Sequence, residues 1–246
     1  MSRIADLKVK VFADGADFEG MVRLSRNAMI KGFTTNPSLM RKAGVDDYEA
    51  FARKVLAAIS DRPVSFEVFA DDFANMAAQA RTIATWGPNV NVKIPVTNTK
   101  GQSASEIIRA LSSEGVVLNI TAIFTLDQVR AVADALDPAA PAIVSVFAGR
   151  IADTGVDPVP HMLACKQILE SRPKAELLWA STRELLNIFH ADECGCDIIT
   201  VTNDFLNKLD LIGKDLGEYS RETVQMFYKD ATAAGYQINT ARCAAE

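Results

Sequence analysis

Short runs of apolar and β-branched residues recur along the chain, and longer stretches with a different periodicity separate them. Runs of this length and composition are typical of strands buried in a parallel sheet, where both faces are covered. The pattern predicts eight strands, at Val9–Ala13, Gly32–Thr34, Val64–Phe69, Val90–Val96, Val116–Ile120, Ala142–Phe147, Leu177–Ala180 and Ile198–Thr202.

The intervening stretches place apolar residues three and four positions apart, which is the spacing of one face of an amphipathic helix. This spacing predicts helices that include Tyr48–Ile59, Phe73–Trp86, Ser105–Ser112, Leu126–Ala135 and His161–Glu170. Past the last strand it predicts further helices, most clearly Phe205–Leu211 and Ser220–Ala234.

Strands that alternate with helices, without a long linker or a low-complexity segment, indicate a parallel sheet with right-handed crossovers. Eight such repeats predict an α/β fold of the (β/α)8 TIM-barrel type. We expect residues 1–246 to form a single barrel domain, with 203–246 as a helical C-terminal tail. A doubly wound open sheet is the alternative, but no Gly-x-Gly-x-x-Gly follows the first strand and no Walker motif is present.

Composition narrows the class of protein. The net charge of −5 is spread along the chain without a basic block, which argues against nucleic acid or an anionic membrane as the main partner. No apolar run approaches the length of roughly 20 residues that spans a bilayer, and residues 1–30 lack the pattern of a secretory signal peptide. We therefore expect a cytoplasmic protein.

Cysteine and histidine usage limits the chemistry further. The four cysteines, Cys165, Cys194, Cys196 and Cys243, lack the second ligand pair of a zinc site, so we interpret them as reduced thiols and expect no metal. His161 and His190 are the only histidines and both lie in segments with a helical pattern. Mechanisms that need a Ser-His-Asp or Cys-His arrangement are therefore disfavoured.

One lysine stands inside an apolar run. Lys93 lies within Val90–Val96, which otherwise has the pattern of a buried strand. Removal from water disfavours the charged form of a lysine, and a free amine can attack a carbonyl to form a Schiff base. A lysine paired with a carboxylate at the edge of the core, or one that extends out of the strand end, remains an equal alternative on this segment alone.

Polar residues follow the other predicted strands at the ends where the active sites of barrel enzymes lie. Each one alone has a structural explanation such as a helix cap, a turn or a packed hydroxyl. Together they are difficult to explain as structure, and in chain order they are Asp14, Thr35, Asn36, Glu67, Lys93, Asn119, Thr121, Ser145, Arg150, Ser181 and Arg183.

With these residues assembled, the chain resembles the transaldolase family, which includes the fructose-6-phosphate aldolases. The resemblance covers about residues 9 to 205, and its most specific segments are Thr34-Thr35-Asn36-Pro37-Ser38, Val92-Lys93-Ile94-Pro95, Asn119-Ile120-Thr121, Ser145-Val146-Phe147-Ala148-Gly149-Arg150 and Ala180-Ser181-Thr182-Arg183. It implies a class I aldolase-like barrel with Lys93 as the Schiff-base lysine. It also implies sugar phosphates as substrates and no cofactor.

The chemistry of these residue types also predicts roles for several of them. An iminium on Lys93 stabilises the carbanion left when the ketose C3–C4 bond breaks, and Asp14 can take the C4 hydroxyl proton as the base. By the resemblance, Glu67 and Thr121 hold a water for the proton transfers of Schiff-base formation. Neutral donors and acceptors on Thr35, Asn36, Asn119, Ser145 and Ser181 suit sugar hydroxyls.

Arg150 and Arg183 are the candidates for the phosphate end of the substrate, because a guanidinium fork matches phosphate geometry. The alternative for either arginine is a solvated salt bridge at the start of a helix. Both arginines would also bind a sulfonate or carboxylate, so a ketose that carries another anionic group remains an alternative substrate.

Two functions compete within the family. A transaldolase passes dihydroxyacetone to an aldose phosphate, whereas a fructose-6-phosphate aldolase releases it. Glu67 favours the transaldolase of the pentose phosphate pathway, because family aldolases tend to carry a glutamine there. A non-catalytic sugar-phosphate binder is the least favoured alternative, since it would not need Asp14, Glu67 and Thr121. The resemblance also implies a homo-oligomer.

Overall fold

The computed structural model describes residues 6–238, in which eight parallel strands close into a barrel in the order in which they occur along the chain. The strands are β1 (Lys10–Asp14), β2 (Ile30–Thr34), β3 (Val64–Glu67), β4 (Val90–Pro95), β5 (Leu118–Ile123), β6 (Ala142–Val146), β7 (Ala175–Trp179) and β8 (Ile198–Thr202). The predicted (β/α)8 barrel is confirmed, and the strand positions agree to within a few residues.

Helices follow the strands and surround the barrel. They are α1 (Phe18–Ser25), α2 (Pro37–Lys42), α3 (Tyr48–Ala58), α4 (Phe73–Ala84), α5 (Ser105–Ser113), α6 (Leu126–Ala135), α7 (Ala148–Asp153), α8 (Pro158–Leu169), α9 (Leu186–Glu193), α10 (Asn203–Leu206) and α11 (Leu216–Ala233).

Apolar side chains form two separate clusters, as the alternation of side chains along a strand requires. The larger cluster fills the layer between strands and helices, and includes Val64, Val92 and Ile120. The smaller one lies inside the barrel and contains Phe12, Ile143, Leu178, Ala180 and Ile198, with Phe147 against it. The interior below the site is thus packed rather than open.

Gly32 makes room for this inner cluster. A Cβ atom at position 32 would lie 2.5 Å from the Phe12 ring. Glycine is therefore needed on β2 so that the largest side chain of the inner cluster can cross the barrel. Any larger residue would displace Phe12 and alter the floor on which the site rests.

The chain beyond β8 differs from the prediction. A continuous helix over Phe205–Leu211 is wrong, because the chain forms the short helix α10 and then a separate 3-10 turn at Leu209–Leu211. Helix α11 starts at Leu216, four residues before the predicted Ser220, with Asp215 as its N-cap. No residue of α11 is buried, and apolar side chains such as Leu216 and Phe227 are exposed. The last residues of the predicted tail, 239–246, lie outside the described part of the chain.

Candidate functional site at the carboxyl end of the barrel

A cavity of about 410 Å³ opens at the carboxyl end of the strands. Nine of the eleven candidate residues line it, namely Asp14, Asn36, Glu67, Lys93, Asn119, Thr121, Ser145, Arg150 and Ser181. They come from different strands and loops around the barrel rim, so the closure of the sheet brings together residues that are far apart in sequence. Thr35 and Arg183 are not among the lining residues.

Lys93 lines this cavity from strand β4. Its register on β4 pairs it with Glu67 on β3 and with Asn119 on β5. The Lys93 amine donates to the main-chain oxygen of Thr35 at 2.8 Å and lies 3.1 Å from the Glu67 carboxylate. The lysine is only 7% exposed. An amine held this way is oriented by two oxygen partners and is shielded from bulk water.

Asp14 lies at the end of β1, opposite Thr34 of β2. The Thr34 hydroxyl donates to the Asp14 carboxylate at 2.8 Å. Burial raises the pKa of the Asp14 carboxyl, while the Lys93 ammonium and the Thr34 hydrogen bond act in the opposite direction. Asp14 is thus a carboxyl group whose proton is held more tightly than in water, which suits proton exchange with a substrate.

Glu67 is fixed through its main chain. The Tyr48 hydroxyl donates to the Glu67 main-chain oxygen at 2.9 Å and accepts from the Glu67 amide at 2.7 Å. Burial raises the pKa of Tyr48, so its hydroxyl keeps the proton that it donates. This double contact sets the position from which the Glu67 side chain reaches Lys93.

A chain of neutral hydrogen bonds crosses the site beside Lys93. Ser145 donates to the Asn119 carbonyl oxygen at 2.6 Å, and the Asn119 amide donates to the Ser65 hydroxyl at 3.1 Å. All three side chains are buried, and Thr121 lies two residues beyond Asn119 on the same face of β5. These groups offer polar contacts to a ligand without adding charge.

Two lining residues have a left-handed backbone. Ala122 has φ 60° and Ser181 has φ 63°, and they are the only non-glycine residues with positive φ in the part of the chain that the structure describes. Ala122 lies where the register between β5 and β6 shifts, between Ile120 and Ile123. Unfavourable backbone at both places is a sign of a constrained functional site.

Gly149 holds the Ser181 turn in place. The Gly149 amide donates to the main-chain oxygen of Ala180 at 3.2 Å. A Cβ atom at position 149 would lie 1.6 Å from the Ser181 main-chain oxygen. The first turn of α7 therefore packs directly on the β7 loop, and this contact fixes Arg150 relative to Ser181.

The two arginines occupy different environments. Arg150 lines the cavity, and its guanidinium lies 5.1 Å from the centre of the Phe147 ring. Arg183 instead makes two hydrogen bonds to Asp153, at 2.8 Å and 2.5 Å, and holds the pKa of that exposed carboxyl below its usual range. Its predicted phosphate role stays a prediction and would require it to leave Asp153.

Thr35 and Asn36 each use a side-chain oxygen in a hydrogen bond to the main chain of the protein. The Thr35 hydroxyl donates to the Ser65 main-chain oxygen, so this residue reaches the site only through the carbonyl that holds Lys93. The side-chain oxygen of Asn36 accepts from the Leu39 amide, which makes Asn36 the N-cap of α2. Its amide NH2 group remains for a ligand.

Several lining residues were not among the predicted site residues. The Thr34 hydroxyl contacts both Asp14 and the Thr200 hydroxyl, and Ser38, Phe147 and Leu178 also line the cavity. Thr34 and Ser38 belong to the segment Thr34–Ser38 and could have been found from it. Thr200 could have been found only from the pairing of β8 with β1, which places it beside Phe12.

The described thiols lie outside the cavity. Cys165, Cys194 and Cys196 are free and buried, and burial raises their pKa values, to about 12 for Cys165 and about 11 for Cys194. Cys243 lies outside the described residues. No group of three or more potential metal ligands occurs within residues 6–238. None of the helices described there has the length and apolarity to cross a membrane.

Comparison with known proteins identifies the family of the chain. The family model described as Transaldolase/Fructose-6-phosphate aldolase matches residues 11–245. A probable transaldolase of Dehalococcoides mccartyi is 37% identical over 197 residues, which is 78% of this chain and 86% of that protein. Probable transaldolase 2 of Listeria monocytogenes is 34% identical over 82% of this chain and 88% of its own length.

Solved structures are similar in fold. A putative lyase/mutase from Burkholderia cenocepacia has a TM-score of 0.57 at 14% identity, and the match covers 96% of this chain and 90% of that one. Dihydrodipicolinate synthase from Rhodopseudomonas palustris has a TM-score of 0.55 at 17% identity, covering 94% and 81%. At these identities the likeness concerns the barrel alone.

Proposed function

We propose that this protein, which belongs to the transaldolase and fructose-6-phosphate aldolase family, is a transaldolase that transfers a dihydroxyacetone unit through a Schiff base on Lys93. The donor is a ketose phosphate such as fructose 6-phosphate or sedoheptulose 7-phosphate. The observation that carries the proposal is the buried Lys93 amine, which lies 3.1 Å from the Glu67 carboxylate in the cavity that Asp14 also lines.

The first half of the reaction forms the covalent intermediate. The unprotonated Lys93 amine attacks C2 of the ketose, and the resulting carbinolamine loses its oxygen as water to give an iminium. That loss requires a proton donor for the leaving oxygen. Glu67 is held beside Lys93, and Thr121 lies on the neighbouring strand, so a water between them can relay this proton.

The second half breaks and remakes carbon–carbon bonds. Asp14 takes the proton of the C4 hydroxyl, the C3–C4 bond breaks, and its electron pair moves into the iminium to give an enamine. The aldose phosphate leaves. An acceptor aldehyde then reacts with the enamine, Asp14 returns the proton to the new hydroxyl, and hydrolysis frees Lys93.

Substrate positioning is assigned to the neutral groups and the arginines. Asn36, Asn119, Ser145 and Ser181 line the cavity and offer hydrogen bonds to the hydroxyls of the dihydroxyacetone unit. Arg150 also lines it and is the first candidate for the phosphate. Arg183 is the second, on the condition that it exchanges Asp153 for the phosphate.

The alternative within the family is a fructose-6-phosphate aldolase, which would release free dihydroxyacetone. Glu67 supports the transaldolase, because a carboxyl group can exchange a proton with the water at Lys93 and a glutamine cannot. A ketose with a sulfonate or carboxylate in place of the phosphate would meet the same arginines.

The deciding assay measures release of glyceraldehyde 3-phosphate from fructose 6-phosphate, with and without erythrose 4-phosphate. Release that depends on the acceptor supports transaldolase, whereas release with free dihydroxyacetone in its absence supports the aldolase. A Glu67→Gln variant should release more free dihydroxyacetone per turnover than the wild type. An unchanged ratio would show that Glu67 does not set this partition.

A non-catalytic sugar-phosphate binder is tested by borohydride reduction with fructose 6-phosphate. A permanent mass adduct on the peptide that contains Lys93 is expected for the enzyme, and its absence would favour the binder.

We also propose a homo-oligomer in which α11 packs on a second copy. The support is that α11 exposes apolar side chains along its length, including Leu216, Val224 and Phe227, while none of its residues is buried. Sedimentation of the full chain and of a Phe227→Lys variant tests this, because the charge should weaken the assembly. The pentose phosphate pathway and the cytoplasm are the setting that this activity implies.

A further inference from the structure

A second cavity, of about 590 Å³, lies behind the first one between α3 and α4. The two cavities share Glu67 as a lining residue. None of the reaction steps proposed above uses the second cavity. Its lining combines aromatic rings with acidic side chains, and this combination points to a ligand class.

Three aromatic rings form one wall. The ring of Tyr48 lies 4.5 Å from that of Phe69 and 5.4 Å from that of Trp86, measured between ring centres. All three residues line the cavity, and Phe69 is 52% exposed although it is a large apolar side chain. Rings at these separations pack against one another, so the three form one continuous aromatic surface, and the parts of it that line the cavity are available to an organic cation.

The charges around the cavity are of one sign. Its lining includes Asp46, Asp47, Glu49 and Glu67, and no described lysine or arginine belongs to it. Glu49 pairs with Arg53 and Glu67 with Lys93, whereas Asp46 and Asp47 form no salt bridge among residues 6–238. Asp47 accepts a hydrogen bond from the Ala50 amide as the N-cap of α3, which leaves its charge uncompensated by a side chain of the described residues. An occupant of positive charge is therefore favoured.

We propose that this second cavity binds a small alkylammonium compound. Its charged group is held by cation–π contacts with Tyr48, Phe69 and Trp86 and by the field of Asp46 and Asp47. The walls are preformed, because Tyr48 is fixed by its two hydrogen bonds to the Glu67 main chain. A ligand against Tyr48 thus touches the residue that positions Glu67 in the first cavity.

The experiment is isothermal titration calorimetry of the full-length protein with choline and with its neutral carbon isostere, 3,3-dimethylbutan-1-ol. The two probes differ in charge and match in shape, so the comparison isolates the cation. Choline is expected to bind at least about 10-fold more tightly than the isostere. Equal affinity, or no heat of binding for choline, would overturn the proposal.

Three variants test whether choline binds in the second cavity. Phe69→Ala, which removes an exposed ring outside the proposed catalytic set, should weaken choline binding about 2- to 30-fold, the range of one cation–π contact. Asp46→Asn should weaken it less. Leu163→Ala on α8, which removes a side chain that is also exposed, is the matched control and should bind as the wild type does. Unchanged binding in Phe69→Ala would place choline elsewhere and overturn the assignment.

Calorimetry does not depend on the proposed reaction, so failure of one proposal leaves the other standing. If the protein is the proposed transaldolase, saturating choline should also change its turnover, because Tyr48 connects the two cavities through Glu67. Turnover that choline leaves unchanged would overturn this coupling.

Discussion

The two sides of the first cavity carry charge in different ways. On the side of β1, β3 and β4, Asp14, Glu67 and Lys93 are borne by strands, and the lysine is 7% exposed. On the side of β6 and β7, Arg150 lines the cavity beside Phe147, and Arg183 lies outside its lining and pairs with Asp153. Both arginines stand beyond the strand ends and are exposed.

We interpret this difference as a division of roles, with the reaction chemistry on the strand side and substrate binding on the arginine side. Groups on strands cannot move far, and burial makes their charges depend strongly on one another, which tunes proton transfer. Groups on loops and helix starts remain hydrated and can change partners at little cost, since an exposed ion pair contributes little to stability. We therefore expect changes on the strand side to affect turnover and changes on the arginine side to affect affinity.

The largest effect is expected for Lys93→Met, which keeps most of the apolar stem and removes the amine. Turnover and borohydride trapping should both be lost, because no other lysine among residues 6–238 lines the cavity. Lys166→Met is the matched control, since Lys166 pairs with Asp197 away from the cavity. Trapping that persists in Lys93→Met, on a mass spectrum of the peptides, would contradict the assignment.

Asp14→Asn should lower kcat by about 10²- to 10⁴-fold through loss of the base. It should also raise the melting temperature at neutral pH. Burial raises the pKa of Asp14 in the folded state, so the folded carboxylate destabilises the protein above the unfolded-state pKa, and the asparagine removes that cost. The difference in melting temperature should shrink as the pH falls through the raised folded-state pKa toward the ordinary aspartate value, and it should be absent below that value. A lower melting temperature for Asp14→Asn at neutral pH would contradict the burial argument.

On the arginine side, Arg150→Ala and Arg183→Ala should each raise KM for fructose 6-phosphate, roughly 10- to 150-fold for loss of a charge-assisted contact. Neither should change kcat as strongly as the strand variants do. Asp153→Asn sharpens the test, because it frees Arg183 and should lower KM. If Arg183→Ala leaves KM unchanged, Arg150 alone holds the phosphate.

The smallest expected effect is that of Thr34→Val. Loss of the hydroxyl removes a hydrogen bond that favours the Asp14 carboxylate, so the pKa of Asp14 should rise further. The acidic limb of the pH profile of kcat should therefore move to higher pH, with kcat at its plateau little changed. A shift to lower pH would show that Asp14 is not the group that limits turnover in acid.

The strand side is also the more predictable side. Alternation within a strand and the rule that barrel sites lie at strand ends suffice to select Lys93, Glu67 and Asp14 from the amino-acid sequence. The partners of Arg150 and Arg183 are not predictable in this way, because Phe147 and Asp153 reach them through loop and helix-start geometry. The periodicity of α11 likewise predicts a helix and leaves open whether it packs on the barrel.

The contact between Gly149 and Ser181 has a consequence for attempts to change the substrate. Position 149 is closed to every side chain by the Ser181 carbonyl, and Ser181 already has an unfavourable φ of 63°. Libraries that aim at new anionic groups near Arg150 should therefore leave both positions unchanged and vary Ser38 and Phe147 instead. Substitutions at the other lining residues can therefore change the cavity while the contact between Gly149 and Ser181 continues to support the turn.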